Sequence, residues 1–199
     1  ARESGAKRVH TMRHGEPWWR NAERAVAARL ELCRHDGNYL ASFGSIRSGA
    51  GTPYRIFTPF WRTLSDRLAP AMPLSCPARI AGPETWPRSD RLETWNLLPG
   101  APDWATGVAA ALQPGGETAR QLLGRFADHV GEYGEWRDFP AQDAVSRLSP
   151  HLHFGEISPA RVRKYLEEAG EAAGPFLRQL GWRDYAQNLV LQLPDYGAQ

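Results

Sequence analysis

Residues 146–159, with the sequence SRLSPHLHFGEISP, concentrate side chains that could do chemistry in a short, polar, proline-bracketed stretch. Ser146 and Ser149 offer hydroxyls, Arg147 offers a planar fork of N–H donors, and the turn adds backbone N–H groups. This set suits phosphate oxygens, because ionised acceptors form stronger hydrogen bonds and arginine can bind them through two parallel ones. The pattern therefore predicts an anion-binding turn, with a serine-capped turn before a helix as the alternative.

The two histidines of this stretch raise the question of a metal site. His151 and His153 are two residues apart, which would place both on one face of a strand. Only Glu156 could serve as a third ligand at short range, and this spacing is not that of a known zinc motif. We predict hydrogen-bonded structural histidines here and no metal ligands.

A second group lies near the end of the chain, in what looks like a helix. Gln179, Trp182 and Arg183 stand at positions i, i+3 and i+4 and would share a helical face. A planar aromatic ring beside an amide and a guanidinium could stack on a nucleobase and hydrogen-bond its edge. The alternative, which the apolar periodicity through Tyr185 and Leu189 favours, is a core tryptophan beside a solvated charge.

Composition excludes some classes of protein. The chain has 199 residues and a formal charge of +2, which is too small to indicate a nucleic-acid partner without a local basic patch. Cys33 and Cys76 do not make a disulfide framework, so we expect a reduced, cytoplasmic setting. No apolar run reaches the length of a membrane span, and the sequence does not begin with Met, which suggests a fragment.

The first half of the chain reads as mixed structure followed by a linker. Residues 8–10 could end a strand, and 36–54 form a loop whose glycines lack the Gly-Lys-Ser/Thr of a phosphate loop. The proline-rich section 70–102, with tryptophans in and beside it, is expected to pack onto another part of the protein. Two helices are predicted here, one from Arg20 to Cys33 and one capped by Thr58 with Pro59 at its first position.

The second half reads as helical. Apolar residues repeat at helical spacing from Glu117 to Tyr133. A further helix begins after the cap Ser158 and ends near Gly170, and the last one runs from Pro175 to about Leu193.

Several of these segments together resemble the DNA photolyase/cryptochrome family. They are EYGEWRDFPAQDAVSRLSPHLHFGEIS, FLRQLGWRDYAQNLV, YRIFTPFWRTL and RNAERAVAARLELCRHDGNYL. The resemblance implies the end of a Rossmann-like α/β antenna domain (residues 1–45), a proline-rich interdomain linker (46–115) and the start of an all-helical FAD-binding domain (116–199). The chain would then be a fragment that lacks both ends of such a protein.

The resemblance assigns a cofactor role to two regions. Tyr133 matches the family's FAD-contacting tyrosine. The segment that wraps the FAD phosphates matches Val145, Ser146, Arg147, Leu148 and Ser149, with a helix start assisting. Threonine is usual where this chain has Val145, so one hydroxyl is lost and binding is weakened at most.

The resemblance also assigns DNA contacts. Arg137 matches an arginine that binds a substrate phosphate. Gln179, Trp182 and Arg183 match the edge of the lesion pocket, where the tryptophan stacks on a flipped-out dimer and, with Gln179, forms the catalytic contact. Enzymes for cyclobutane dimers usually carry glutamate where this chain has Gln179, and glutamine is also familiar in (6-4) photolyases and cryptochromes, so the substrate stays open.

The implied function is light-dependent DNA repair, with FAD-mediated electron transfer splitting cyclobutane pyrimidine dimers. The alternatives are a (6-4) photolyase or a cryptochrome-like photoreceptor without repair and, setting the resemblance aside, a helical binding module. The enzyme would be a monomeric lyase acting on UV-damaged DNA, and this fragment alone would be inactive and bind FAD poorly. The antenna pigment, of folate or deazaflavin type, stays unresolved because VHTMRHGEP departs from the usual pattern.

Overall fold

A computed structural model describes residues 3–68, 74–75, 77–193 and 195, so Cys76 and Pro194 lie outside the described residues. The protein is mostly helical, with one small parallel sheet near its N-terminus. The strands are β1 (Arg8–Met12) and β2 (Glu31–His35). The helices are α1 (Pro17–Ala27), α2 (Phe57–Arg67), α3 (Thr106–Ala111), α4 (Gly116–Ala127), α5 (Tyr133–Trp136), α6 (Ser149–His153), α7 (Pro159–Leu166) and α8 (Gly174–Gln192). No helix in the described part of the chain is long and apolar enough to cross a membrane.

The N-terminal unit is a β–α–β arrangement in which β1 pairs with β2 in parallel. A strand is present at residues 8–10 as predicted, but these residues begin it and do not end it, because β1 runs from Arg8 to Met12. The helix predicted from Arg20 to Cys33 is wrong in its second half, because α1 ends at Ala27 and the residues from Glu31 onward form β2. Pairing with β1 gives the backbone of that segment hydrogen-bond partners that a local pattern of apolar residues does not reveal.

The helix α2 begins at Phe57, one residue before the predicted cap. Thr58 does not cap it, no side chain accepts from its first N–H groups, and Pro59 is its third residue. Its apolar face packs as predicted, with Phe60 and Leu64 fully buried in a cluster that Tyr185 of α8 completes.

The larger core lies among the later helices. It comprises Ala119, Leu123, Phe126, Val130, Leu148, Leu152, Ile157, Val162, Leu166, Ala173, Phe176 and Leu180. The helix predicted through Tyr133 is interrupted: α4 ends at Ala127, a 3₁₀ turn follows, and Tyr133 opens α5. The predicted cap of α7 is confirmed, because Ser158 Oγ accepts from the N–H of Arg161 at 3.2 Å.

The proline-rich section does not pack as expected. Trp86, Trp95 and Trp104 are all largely exposed, and the described residues of the section form one short 3₁₀ turn, Leu92–Trp95. Within the described residues this section therefore presents its aromatic rings to solvent.

Helices α2 and α8 pack closely because a glycine lies between them. Gly181 of α8 is buried, and a Cβ atom at this position would overlap the indole ring of Trp61. The residue is glycine because the two helices leave no room for a side chain, and helix propensity alone would favour alanine.

The loop between β2 and α2 is tied to α8 by a buried carboxylate. Asp184 accepts from the backbone N–H groups of Leu40 at 3.1 Å and Ala41 at 3.0 Å, and its side chain is 2% exposed. Asn188, one turn later, accepts from the N–H of Gly44 at 3.2 Å. Burial raises the pKa of Asp184 to about 6, although the two N–H donors and Arg183 oppose that rise.

Gly181→Ala should lower the free energy of unfolding by about 1–3 kcal/mol, because the added methyl group forces α2 and α8 apart. Gly174→Ala is the matched control, since nothing lies within 4 Å of a Cβ at that helical position. Urea unfolding of the two variants measures the difference. Equal stability of the two would contradict the proposed close contact.

The titration of Asp184 predicts a pH dependence of stability. The pKa of Asp184 is about 6 in the folded protein, above the ordinary aspartate value of 3.8, so the folded state binds the proton more tightly. The contribution of this group to the free energy of unfolding therefore increases as the pH falls from about 7 to about 4, by at most about 3 kcal/mol. Measuring the free energy of unfolding of the native protein and of Asp184→Asn at both pH values isolates the contribution of the Asp184 carboxyl group. A stability difference between them that does not grow at the lower pH would count against this assignment.

Candidate functional site

A cavity of about 640 Å³ opens between the 145–149 segment, the short helix α6 and the first half of α8. Its size is typical of small-molecule and cofactor sites. Its wall combines apolar, hydroxyl and charged side chains, namely Tyr133, Val145, Ser146, Arg147, Ser149, Leu152, His153, Phe176, Gln179, Leu180 and Arg183.

The 145–149 segment takes its shape from one buried anchor. Leu148 is fully buried in the larger core, and its backbone N–H donates to Ser146 Oγ at 3.3 Å. Ser146 is nearly buried, whereas Val145 and Arg147 are exposed on the cavity side. Arg147 has φ = 54°, a left-handed conformation that is uncommon for residues other than glycine and that clusters at functional sites.

The charge of the segment is held in place by an ion pair. Arg147 Nη2 lies 2.7 Å from Asp143 Oδ1, and both side chains are mostly exposed. The helix that follows, α6, has only five residues, so its N-terminus has a smaller dipole than was expected to help bind phosphate. The groups that this wall could offer to an anion are therefore its hydroxyls and the guanidinium.

His151 is a structural residue on the far side of α6. It is 2% exposed, and its Nδ1 lies 2.5 Å from Glu156 Oε2. The backbone N–H of Gly115 and the hydrogen bond with His151 hold the pKa of Glu156 below its usual value. This agrees with the predicted hydrogen-bonded histidine, and it places His151 outside the cavity, while His153 lies in the cavity wall.

Helix α8 contributes a stripe of side chains to the cavity. Phe176, Gln179, Leu180 and Arg183 follow the i, i+3, i+4, i+7 spacing that places residues on one helical face. Of the three residues predicted to share a face, Gln179 and Arg183 both line the cavity. Trp182 lies on the flank of the stripe and is not part of the cavity wall.

Trp182 stacks on α2. Its ring lies 3.7 Å from that of Phe57 between centroids, at 10° between planes, and Tyr185 meets it edge-on. The side chain is nevertheless 44% exposed, so it is not a core residue. One face of the indole is occupied by Phe57 and part of the ring is open to solvent.

Arg183 is not the solvated charge of the alternative interpretation, in which Trp182 was a core residue. Its guanidinium donates to the carbonyl and side-chain oxygens of Asn38 and, at 3.1 Å, to the carbonyl of Leu152. It lies over the ring of Tyr39, with 4.8 Å from Cζ to the ring centroid. Burial lowers the pKa of Arg183 and raises that of Tyr39 to about 12. Arg183 therefore links the 38–41 loop to the cavity wall.

Tyr133 lies in the wall, and Arg137 lies beside it. The Tyr133 ring packs edge-on against Phe126 and Phe176, which fixes its orientation. The guanidinium of Arg137 is 5.7 Å from the centre of that ring, and its Nε is 3.7 Å from Asp138 Oδ1. Arg137 is exposed and is not part of the wall of the 640 Å³ cavity, and its DNA contact stays a prediction.

Four residues of the cavity wall were not predicted from the sequence: Leu152, His153, Phe176 and Leu180. Two of them belong to the helical stripe of α8, and extending the spacing of Gln179 and Arg183 by one turn toward the N-terminus would have found them. The other two follow the 145–149 segment, and nothing local distinguishes them from core or surface positions.

Comparison with known proteins relates the whole chain to one family. The family model for DNA photolyase matches residues 1–78. The chain is 36% identical over 209 aligned positions to the deoxyribodipyrimidine photo-lyase of Agrobacterium fabrum, covering 98% of this chain and 43% of that protein. It is 30% identical to the Streptomyces griseus protein of the same name, with the same coverage. The chain thus spans less than half the length of these curated relatives.

Solved structures agree with the sequence relatives. The crystal structure of a bacterial class III photolyase from Agrobacterium tumefaciens superposes with a TM-score of 0.90 at 34% identity, over 100% of this chain and 43% of that one. The cryptochrome of Synechocystis superposes with a TM-score of 0.75 at 18% identity, over 100% of this chain and 44% of that one, which shows a shared fold. The chain belongs to the DNA photolyase/cryptochrome family.

Proposed function

We propose that this chain is part of a light-dependent DNA repair flavoprotein that splits cyclobutane pyrimidine dimers, a DNA photolyase. The observation that carries the proposal is the 145–149 segment, whose Ser146, Arg147 and Ser149 face a cofactor-sized cavity. The name deoxyribodipyrimidine photo-lyase, shared by the Agrobacterium and Streptomyces relatives, supports the same activity.

The residues of the cavity fit a flavin dinucleotide. Hydroxyls at Ser146 and Ser149 and the guanidinium of Arg147 are donors for a diphosphate, whose oxygens are strong acceptors. Tyr133 and Phe176 add aromatic surface deeper in the wall. Val145 has no hydroxyl, so at this position only the backbone N–H could donate to a phosphate oxygen. FAD, when bound, supplies the one-electron chemistry that dimer splitting needs.

The α8 residues are proposed to meet damaged DNA. Trp182 is 44% exposed, so a flipped base could stack on the indole face that Phe57 does not cover, while Phe57 holds the indole in place from the other side. Arg183, fixed by Asn38 and Leu152, keeps further N–H donors for a phosphate. Arg137 would supply a second phosphate contact, so DNA affinity should fall with rising salt.

Gln179 is the residue that bears most directly on which lesion would be the substrate. It lies in the cavity wall and can both donate and accept hydrogen bonds, but it can supply neither charge nor a proton as glutamate could. The presence of glutamine keeps a (6-4) photolyase or a cryptochrome-like photoreceptor as the second candidate function.

The domain division is also part of the proposal. Residues 1–45 would be the C-terminal part of an antenna domain, 46–115 an interdomain linker and 116–199 the first part of the FAD-binding domain. The parallel β1–β2 pair with α1 supports the first assignment, and the helical core supports the last. We further propose a cytoplasmic monomer with an antenna chromophore of folate or deazaflavin type. The 199-residue chain alone should bind FAD weakly and be inactive, because it corresponds to only 43% of the length of the photolyases that it resembles.

A chimera tests the function directly. In it, this chain replaces the matching 43% of the Agrobacterium fabrum enzyme, so that the opposing part of the cofactor site is present. We expect a yellow protein that repairs dimer-containing DNA under blue light. A yellow chimera without repair of cyclobutane dimers would favour the second candidate function, and a chimera that stays colourless in excess FAD would contradict the flavin site.

The same chimera tests the role of Trp182. Trp182→Ala should weaken binding of dimer-containing DNA by about 1–3 kcal/mol, roughly 5- to 150-fold in Kd, while leaving flavin content nearly unchanged. Trp104→Ala, which removes an exposed indole from the proline-rich section, is the control and should bind as the parent does. Loss of flavin in Trp182→Ala, or an unchanged preference for damaged over undamaged DNA, would remove Trp182 from the lesion site.

A further inference from the structure

Two imidazole rings lie end to end on the small sheet. His10 Nδ1 and His35 Nε2 are 2.8 Å apart, and the ring planes differ by 14°. The ring centres are 5.1 Å apart, which is close to the largest separation that this nitrogen contact allows. The rings are therefore nearly coplanar, and the two nitrogen atoms point at each other.

The parallel register of β1 and β2 brings these residues together. His10 lies opposite Cys33, and His35 lies opposite Met12, so all four side chains leave the same face of the sheet. The two histidines are 25 residues apart in sequence, which is why no local motif predicted the pair. Both rings are exposed, so an ion can reach them from solvent.

The carboxylates of this region are already paired. Glu31 forms an ion pair with Arg8 at 2.9 Å, and Asp36 lies 3.7 Å from Arg13. Between the two imidazoles one nitrogen must donate a proton and the other must accept it. If the donor imidazole carries its proton on its other ring nitrogen instead, both facing nitrogens present lone pairs, and a cation between them would receive both at once.

We propose that His10 and His35 form a binding site for a single Cu(I) ion. Imidazole is a good copper ligand, and a closed-shell Cu(I) ion accepts two nitrogen donors in line, with the rings moving slightly apart. Zinc prefers a tetrahedral set, which would require two further ligands and a bent angle between the two nitrogens in place of the in-line arrangement.

The rest of this sheet face agrees with a soft metal. Cys33 and Met12 are sulfur side chains of the type that selects Cu(I), and Cys33 is partly buried with its sulfur 3.9 Å from Glu31 Oε1. Over the described ranges no group of three or more His, Cys, Asp and Glu side chains could hold a metal ion. The site therefore has two nitrogen ligands. Since it joins β1 to β2, an ion bound there stabilises the folded N-terminal unit, independently of any flavin.

The experiment uses the full chain with Cys33 and Cys76 both changed to serine, so that no thiol competes for the metal. Cu(I) is offered without oxygen as its coloured bicinchoninate complex. We expect the protein to remove one equivalent of copper and its thermal unfolding midpoint to rise. Loss of a residue that only hydrogen-bonds to a metal ligand lowers metal affinity by roughly 10- to 100-fold. Because His10 and His35 are proposed as direct ligands, His10→Ala and His35→Ala should each lower the affinity for Cu(I) by more than this.

Two further measurements keep the test decisive. His153→Ala, in the same background, removes an exposed histidine whose ring contacts Phe154, and it should bind copper as the background does. X-ray absorption of the loaded background should show two nitrogen neighbours around copper, which does not depend on how well the variants fold. No copper transfer to the background, transfer that persists in the His10→Ala/His35→Ala double variant, or a copper ion without two nitrogen neighbours would overturn the proposal.

Discussion

The buried carboxylate of Asp184 is the interaction on which the arrangement of this protein depends. It satisfies two backbone N–H groups of a loop that would otherwise have no partners at this interface, and it does so from the middle of the longest described helix. A carboxylate removed from water is costly unless it is hydrogen-bonded, and the raised pKa of Asp184 reports that cost. Arg183 and Asn188, on the same stretch of α8, bind the same loop at Asn38 and Gly44.

These hydrogen bonds connect α8 to the loop at residues 38–44, which is far from it in sequence. Arg183 faces the cavity with part of its guanidinium and holds Asn38 with the rest. Any ligand that contacts Arg183 would therefore sense the position of the loop that follows β2. Through Arg183, the position of this loop and the shape of the cavity wall are physically linked.

The cavity wall itself is shaped by burial as much as by its polar groups. Leu148 anchors the 145–149 segment in the core. Buried and exposed residues alternate along the segment, so Val145 and Arg147 face outward. Arg147 accepts an uncommon backbone conformation there. Such strain persists only where the surroundings over-determine the conformation, and the fully buried leucine provides that constraint.

Much of this could be predicted from the sequence. The capping serine and first-turn proline of α7 are local signals, and local backbone chemistry makes them reliable. The hydroxyl-and-arginine segment and the Gln179/Arg183 face were also visible, because residue type and helical spacing suffice to find them. The strand at Glu31–His35 was missed because its partner lies more than twenty residues away. The break before Tyr133 was missed because the apolar spacing continues across it.

The sequence by itself therefore determined the family resemblance, the helical character of the second half and the chemical groups available to a phosphate. Tertiary structure alone decided that Trp182 stacks on Phe57 beside the cavity, that Arg183 is tied to Asn38, and that His10 meets His35. Residue type and spacing report what a segment can do locally. Contacts between segments depend on how α2, α8 and the two strands pack, and that packing is a property of the whole chain.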